Sequence, residues 1–138
     1  MSTRTGRCMC GAVTYKAEVS GAFSACHCKM CQQWASGLFM GVHTDGFEVV
    51  QGEAEFTRFK SSAWAERAFC GKCGSNIYYH AVEHGHPSVA LGTLDDMSGL
   101  SRGYEYYIDK EPEGLGRTDK TKTMTEAEAI AFFTGGDA

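Results

Sequence analysis

Short apolar segments alternate with polar residues and glycines along most of the chain. Several show the period of two that is typical of half-buried strands, as at Val13 and Tyr15. Many short strands at close spacing favour an antiparallel all-β domain over a parallel α/β domain, and the 17 glycines fit frequent turns and bulges. The segments are, in chain order, AVTYKA, AFSACHC, GLFMGV, FEVV, EFTRF, ERAFC, NIYYH, SVAL and YEYYI.

Two segments have a helical pattern instead. KMCQQWA, which follows Cys28, predicts a single turn. The segment TMTEAEAIAFFTGG is a clearer helix, because Thr125 can act as the N-cap, Glu128 completes a T-x-x-E capping box and Gly135 offers a stop. We expect the apolar side chains of this helix to pack on the sheet: Ala129, Ile130 and Phe133.

Length and composition indicate one globular domain over residues 1–138, with the polar stretch 111–122 as a loop inside it. The net charge of −4 argues against nucleic acid binding through phosphate contacts. No apolar run is long enough to span a bilayer, and MSTRTGRCMCG lacks the apolar stretch of a secretory signal. We therefore expect a soluble cytoplasmic protein without a membrane or nucleic acid partner. The oligomeric state does not follow from the sequence.

Seven cysteines stand out against this background. Structural disulfides are rare in a reducing compartment, and the odd number argues against a complete disulfide framework. A redox C-x-x-C pair is disfavoured because no thioredoxin-like βαβ pattern surrounds either pair. Their paired spacings favour metal binding over ordinary packing. The cysteines form three groups, in the motifs CMCG, CHCKMC and CGKCG: Cys8 and Cys10; Cys26, Cys28 and Cys31; Cys70 and Cys73.

Each spacing has a geometric consequence. In an extended C-x-C segment both sulfurs lie on one face, so Met9 and His27 should face away from a metal. In C-x-x-C-G the chain must turn tightly, and Gly71 and Gly74 can adopt the positive φ of such turns. Four thiolates at about 2.3 Å make a closed structural zinc site, which leaves three cysteines over. Spacing alone does not say which groups combine, because Cys70 and Cys73 could also form a four-sulfur site with Cys28 and Cys31.

Taken together, four motifs resemble those of one family. GRCMCGAVTY, CHCKMCQQW, RAFCGKCGSNIYY and LGTLDD, in this order, are similar to the glutathione-dependent formaldehyde-activating enzyme family, also called the centromere protein V/GFA domain. The matched core is about residues 6–96, followed by a C-terminal strand, loop and helix at about 97–138. The resemblance implies a mainly β fold of zinc-stabilised, folded-over antiparallel sheets (a β-tent of the Mss type) with a short C-terminal helix.

The resemblance also implies a division among the cysteines and two zinc ions per chain. A structural zinc would be held by Cys8, Cys10, Cys70 and Cys73. A second zinc, with an exchangeable fourth position and a catalytic role, would be held by Cys26, Cys28 and Cys31. The implied activity is that of a carbon–sulfur lyase of the S-(hydroxymethyl)glutathione synthase type, with a glutathione-like thiol and formaldehyde as reactants.

One stretch departs from the family pattern. EYYIDKEPEGL has Glu105 where family members commonly carry a histidine, and Gly114 where they carry a tryptophan. If these positions shape the substrate pocket, the substrate differs, and formaldehyde chemistry does not carry over directly.

Other side chains are candidates for smaller roles. Arg67 could bind a carboxylate of a glutathione-like ligand, or it could be a solvated surface charge. Lys29 has the same two interpretations, and for Lys29 we prefer the solvated surface charge. Asp95 and Asp96 are expected to cap a turn. Three aromatic residues and the tyrosines of NIYYH and YEYY could line an apolar pocket, although most should be core: Trp34, Phe39 and Trp64.

Two functions from different classes fit these observations. The first is a zinc-dependent carbon–sulfur lyase that acts on a thiol adduct of an aldehyde or a related electrophile. The second is a non-catalytic zinc-binding β-tent module for protein interaction, in which the three-cysteine site is closed by a histidine such as His84 or His86. The fourth ligand of the second metal would separate them.

Overall fold

The computed structural model describes residues 1–116, 122 and 124–135, and these residues form mainly β structure. Eight strands make one sheet in the order β1-β2-β3-β7-β6-β5-β4, with β8 beside β2, and the sheet does not close into a barrel. The expected mainly antiparallel β fold with a short C-terminal helix is confirmed. The strands are β1 (Ser2–Arg7), β2 (Thr14–Cys26), β3 (Phe39–Gln51), β4 (Phe56–Lys60), β5 (Ala65–Cys70), β6 (Asn76–Ala81), β7 (Ser88–Ala90) and β8 (Ser101–Tyr106), and the helices are α1 (Lys29–Ala35) and α2 (Glu126–Phe133).

The long strand β2 organises this sheet. Its first half pairs with β1 in the antiparallel sense, and its second half pairs with β8 in the parallel sense, while β3 follows its other edge throughout. The β2–β3 register shifts between Glu18 and Val19 and again between Val19 and Phe23. Such irregularities bend and twist a strand, so the two halves of β2 can serve two differently oriented parts of the sheet.

Aromatic side chains fill the interior of the folded-over sheet. The Phe47 ring lies 5.1 Å from the ring centres of both Tyr15 and Tyr78, and 5.9 Å from that of Phe56. Aromatic pairs at these separations add to the free energy gained by burial. The Tyr15 hydroxyl is also satisfied, because it lies 2.7 Å from Oγ1 of Thr93. The core therefore joins β2 and β3 to β4 and β6 from the other end of the strand order.

The strand β1 is not predicted by the hydrophobic pattern, because its sequence STRTGR is polar. It is held by β2 and by Asp95, which accepts hydrogen bonds from the Thr5 hydroxyl (2.6 Å) and from Nε of Arg7 (3.3 Å). The Thr5 hydrogen bond lowers the pKa of Asp95. Asp96 instead caps a turn by accepting from the Ser98 amide at 2.9 Å. Of the two expected turn caps, only Asp96 has that role.

The helix α2 begins and ends where the sequence predicts. The Glu128 amide donates to Oγ1 of Thr125 at 3.2 Å, and Gly135 has a positive φ of 81°. The expected packing of α2 on the sheet is wrong: Ile130 is 56% exposed, Phe133 is 82% exposed and Ala129 is only partly buried. Local spacing specifies a capped helix with apolar side chains, but it does not supply the surface that would cover them. Residues 117–121 of the predicted loop lie outside the described part of the chain.

No helix among the described residues is long and apolar enough to cross a membrane. The remaining helical segments are three short 3-10 turns. They lie at Leu91–Thr93, Ile108–Lys110 and Glu113–Leu115.

We predict that Gly6→Ala destabilises the fold. A Cβ atom at this position would lie within 2.6 Å of Cε1 of Tyr15, whose buried ring cannot move aside without losing its packing. Overpacking of this kind typically costs about 1–3 kcal/mol, which urea unfolding would measure. Gly21→Ala is the control, because its Cβ would meet nothing within 4 Å. A similar loss in both variants would contradict the steric explanation.

Candidate metal centres and the adjoining cavity

The structure brings four of the seven cysteines together across the fold. Cys8 and Cys10 lie in the turn between β1 and β2, Cys70 ends β5, and Cys73 lies in the turn before β6. Their sulfur atoms all lie within 4.8 Å of one another, with 3.6 Å between Cys8 and Cys10 and 3.9 Å between Cys10 and Cys70. Four thiolates around a tetrahedral zinc would be about 3.8 Å apart. This group, which we call the quartet, therefore fits one such ion.

Polar groups of the two turns surround the quartet. The Val13 amide lies 3.3 Å from Sγ of Cys8 and faces it as a donor. Ser75 joins the two turns, because its hydroxyl accepts from the Met9 amide at 2.9 Å and lies 3.2 Å from Sγ of Cys73. The Ser75 hydrogen bond lowers the pKa of Cys73 to about 5. Such donors favour the thiolate form that a metal binds.

The two glycines of CGKCG have different roles. Gly74 adopts the expected positive φ, at 80°, and its amide donates to the Cys70 carbonyl at 2.7 Å. Gly71 does not have a positive φ, so that expectation is wrong for it. Its amide donates to the Glu55 carbonyl at 2.7 Å, and a Cβ would lie 2.9 Å from Oγ1 of Thr57. Gly71 is thus required by the close approach of β4 and not by backbone conformation.

The other three cysteines form a second group, which we call the trio. Cys26 ends β2, Cys28 is the N-cap of α1, and Cys31 is buried within that helix. Their sulfurs also lie within 4.8 Å of one another. A hydrogen bond from Cys31 lowers the pKa of Cys26 to about 5. Among the described residues the trio includes no histidine, and His84 and His86 are exposed elsewhere.

The helix α1 is longer than the single predicted turn. Its N-cap is a sulfur: Sγ of Cys28 lies 3.4 Å from the Cys31 amide, which donates to it. Serine, threonine and aspartate are the usual residues at this position, so the ordinary signal for the start of a helix is missing here. The helix ends at Ser36, which has a φ of 64°. One side chain of the trio therefore both caps α1 and points to the other two sulfurs.

The backbone of the trio is attached to β8 and to the turn after it. The His27 amide donates to the Tyr106 carbonyl at 2.9 Å. The Gln32 side chain donates to the carbonyls of His27 and Lys110, each at 2.8 Å. The His27 ring is buried away from the trio, with Nε2 3.7 Å from Oε2 of Glu105. Glu105, which departs from the family pattern, thus lies behind the cysteine loop.

Arg67 lies against the trio. It is only 5% exposed, and its two terminal nitrogens are each 3.8 Å from Sγ of Cys31. Its guanidinium also lies over two rings, 4.9 Å from that of Trp34 and 5.1 Å from that of Tyr79. Burial excludes the solvated surface charge that the sequence left open. The delocalised, weakly hydrated guanidinium suits such a buried position between rings and sulfur.

A cavity of about 440 Å³ opens beside the trio. Two of the three aromatic candidates, Phe39 and Trp64, line it, whereas Trp34 stacks on Phe39 at 5.0 Å. Lys29 is exposed, as expected for a solvated surface charge, and it also lines the cavity. Gly114 is exposed and lies outside the lining. The full lining comprises Ser24, Cys26, Cys28, Lys29, Met30, Cys31, Phe39, Gly41, Ser61, Ser62, Trp64, Ala65, Arg67, Tyr79, Ser88, Tyr106 and Tyr107.

Sequence reasoning missed two polar residues that hold the metal-binding turns. Gln32 and Ser75 each link two segments. Both lie inside motifs that carry the family resemblance, CHCKMCQQW and RAFCGKCGSNIYY, and that position was the signal that could have indicated them.

Comparisons with known proteins agree with this geometry. A sequence model described as the glutathione-dependent formaldehyde-activating enzyme family matches residues 3–110, and the chain belongs to this family. The chain is similar to an uncharacterized lyase of Schizosaccharomyces pombe, with 28% identity over 127 residues that cover 91% of this chain and 93% of the relative. A crystal structure of a Rhodobacter sphaeroides protein has the same fold, with a TM-score of 0.57, 21% identity, and coverage of 72% of this chain and 99% of that protein.

We predict that the protein as isolated under reducing conditions contains two zinc ions per chain, and that Cys70→Ser loses one. Binding of a structural zinc contributes directly to folding, so this variant should also unfold at a Tm lower by about 10 °C or more. Metal analysis and thermal unfolding would measure both effects. Met9→Ser is the control, because Met9 is 84% exposed although it lies between two cysteines. Full zinc content in Cys70→Ser would contradict the quartet as a metal site.

Proposed function

We propose that this protein is a zinc-dependent carbon–sulfur lyase that acts on a thiol adduct of an aldehyde or a related electrophile. The observation that carries the proposal is that all three cysteines of the trio, whose sulfurs lie close together, line a cavity large enough for a small organic molecule. Catalytic zinc sites commonly have three protein ligands and one open position. The family's description and the name of the yeast relative support the same reaction class.

In this proposal the two cysteine groups divide the work. The quartet holds a structural zinc with four sulfur ligands: Cys8, Cys10, Cys70 and Cys73. The trio holds the second zinc and leaves its fourth position to an exchangeable ligand: Cys26, Cys28 and Cys31. The absence of a histidine from the trio, among the described residues, favours an open site over a closed Cys₃His site. The cavity provides the route to that position.

A zinc ion held by the trio would favour the thiolate form of a thiol at its fourth position, which stabilises the leaving group of the reaction. In the cleavage direction, the adduct's hydroxyl loses its proton to solvent and forms a carbonyl as the carbon–sulfur bond breaks. The electron pair of that bond leaves with the sulfur as thiolate. The reverse reaction adds the thiolate to the aldehyde. The protein's residues orient the adduct and shield it within the cavity.

Arg67 would act as a positioning residue for this chemistry. Three thiolates and a divalent cation carry a formal charge of −1, and the guanidinium beside Cys31 offsets it. Hydrogen bonds to a ligand sulfur and a nearby positive charge tune a metal site from outside its ligand set. Binding of a carboxylate of the thiol, the role expected from the sequence, remains open to Arg67 because it also lines the cavity.

A non-catalytic module for protein interaction is the second candidate. The observation that favours it is the exposed apolar surface of α2, where Phe132 is 50% and Phe133 82% exposed. Large exposed aromatic side chains often mark interaction sites. A module of this kind would not need three sulfurs inside a cavity, so we place it second.

We predict that Cys28→Ser retains the fold but loses lyase activity. Cys28 is only partly buried, and serine is a good N-cap, so α1 should persist. Removal of one of three ligands should lower zinc content to about one ion per chain and reduce turnover of a thiohemiacetal by about 100-fold or more. Zinc analysis, circular dichroism and an aldehyde-release assay would measure these effects. Met9→Ser serves again as the control, and unchanged activity after loss of one zinc would end the proposal.

We predict that Arg67→Met lowers kcat by about 10- to 100-fold, as loss of groups that support metal ligands commonly does. The kcat of Arg67→Lys should lie between those of Arg67→Met and the wild type, because lysine keeps the charge but not the two-nitrogen contact with Cys31. If Arg67 instead binds a ligand carboxylate, KM should rise for carboxylated thiols and not for uncharged ones. Arg58→Met is the matched control, since Arg58 also lies over a ring, at 4.5 Å from Phe56, but outside the cavity.

A further inference from the structure

The mouth of the cavity is built from exposed aromatic side chains. Trp64 is 60% exposed, Tyr106 49% and Tyr107 60%, and all three line the cavity. They come from two separate parts of the fold, the hairpin between β4 and β5 and the end of β8. Clustered exposed aromatic surface commonly marks a binding site.

Hydrogen bonds fix the backbone that carries these rings. The Trp64 carbonyl accepts from the Val82 amide at 2.9 Å, and the Tyr106 carbonyl accepts from the His27 amide at 2.9 Å. Tyr107 has a φ of 56°, in the left-handed region that bulky residues rarely adopt. The Lys110 amide donates to the Tyr107 carbonyl at 2.9 Å and secures this conformation. The rings are therefore presented on fixed backbone, which reduces the entropy cost of binding.

Apart from the thiolates of the trio, the charged side chains of the cavity lining are cationic. They are Lys29 and Arg67, and no aspartate or glutamate belongs to the lining. A ligand amine would thus lose water without gaining a carboxylate partner, which is unfavourable. Beyond the cysteines, the tyrosine hydroxyls and the indole N–H of Trp64, the uncharged polar side chains of the lining are serines: Ser24, Ser61, Ser62 and Ser88. The lining favours an apolar group with a neutral or anionic end over a zwitterionic peptide.

The size of the cavity points the same way. A formaldehyde adduct adds a single carbon to a thiol, so any apolar group against the aromatic wall would have to come from the thiol. A cavity of about 150 Å³ is enough for a benzene ring, whereas this one measures about 440 Å³. There is space for an aromatic ring as well as for the thiol carbon chain that leads to the trio.

We propose that the cavity selects thiol adducts that carry an aromatic or branched apolar group, and that Trp64, Tyr106 and Tyr107 hold this group. The inference rests on the proposed function for the reaction, but it concerns which adduct is bound. The apolar group could belong to the electrophile or to the thiol. In either case the apolar group lies against the same aromatic wall, and the second of the two tests distinguishes the two cases.

The first test measures binding and does not depend on turnover. Benzyl mercaptan should bind the zinc-loaded protein about tenfold more tightly than 2-mercaptoethanol, because its ring is buried against the wall. Trp64→Ala should reduce this preference to about twofold or less, and Trp64→Phe, which keeps a ring, should retain most of it. Phe59→Ala is the matched control: Phe59 is 62% exposed on the neighbouring strand β4 and lies outside the cavity. Calorimetry with each thiol gives the affinities.

The second test measures kcat/KM for matched adducts. With 2-mercaptoethanol fixed, the adduct of benzaldehyde is compared with that of acetaldehyde; with acetaldehyde fixed, benzyl mercaptan is compared with 2-mercaptoethanol. A preference of about tenfold for the ring in the first pair indicates that the aromatic wall binds the electrophile. The same preference in the second pair indicates that the wall binds the thiol. Absence of turnover with every adduct would refute the lyase proposal, while the binding test would still decide this one. Equal affinities for the two thiols in wild type together with no preference for the ring in either adduct pair, or a preference for the ring that is unchanged in Trp64→Ala, would overturn it.

Discussion

The meeting of two distant turns through four sulfur atoms is the constraint on which the rest of the structure depends. In the strand order, β1 stands at one end of the sheet and β5 next to the other end. Cys8 and Cys10 can approach Cys70 and Cys73 only if the sheet folds over, and the aromatic core occupies the interior that this folding creates. A small β domain has a limited core, so a metal bound at this junction would contribute directional stabilisation that apolar packing does not provide.

Much of this arrangement could be predicted from the sequence, because its causes are local. The period of two along the apolar segments predicted most of the strands, and the capping box of Thr125 and Glu128 predicted α2. The cysteine spacings also limited the geometry: C-x-C on extended chain and C-x-x-C-G in a tight turn each bring two sulfurs to one side. Which pairs would combine was not local information. That pairing entered through the family resemblance, and the structure places the same four sulfurs together.

The features that could not be predicted all depend on contacts between distant segments. Arg67 is 36 residues from Cys31 in the chain, and only the position of β5 beside α1 brings them together. The strand β1 is polar and owes its place to hydrogen bonds with β2 and Asp95. The helix α2 lacks such contacts: its apolar spacing predicted a buried face, but no part of the described fold covers Phe133. Sequence patterns state what a segment can bury and not what is available to bury it.

The parallel pairing of β8 with β2 has a consequence for how such proteins can diverge. The strand β8 supplies no sulfur, yet it ends at Tyr106 and is followed by Tyr107, both of which line the cavity, and it adjoins the strand that ends in Cys26. Substitutions in and after β8 can therefore change the rim of the cavity while every cysteine of the quartet and the trio stays in place. The rim and the sulfurs lie largely on separate stretches of chain, so one can drift over generations without loss of the other.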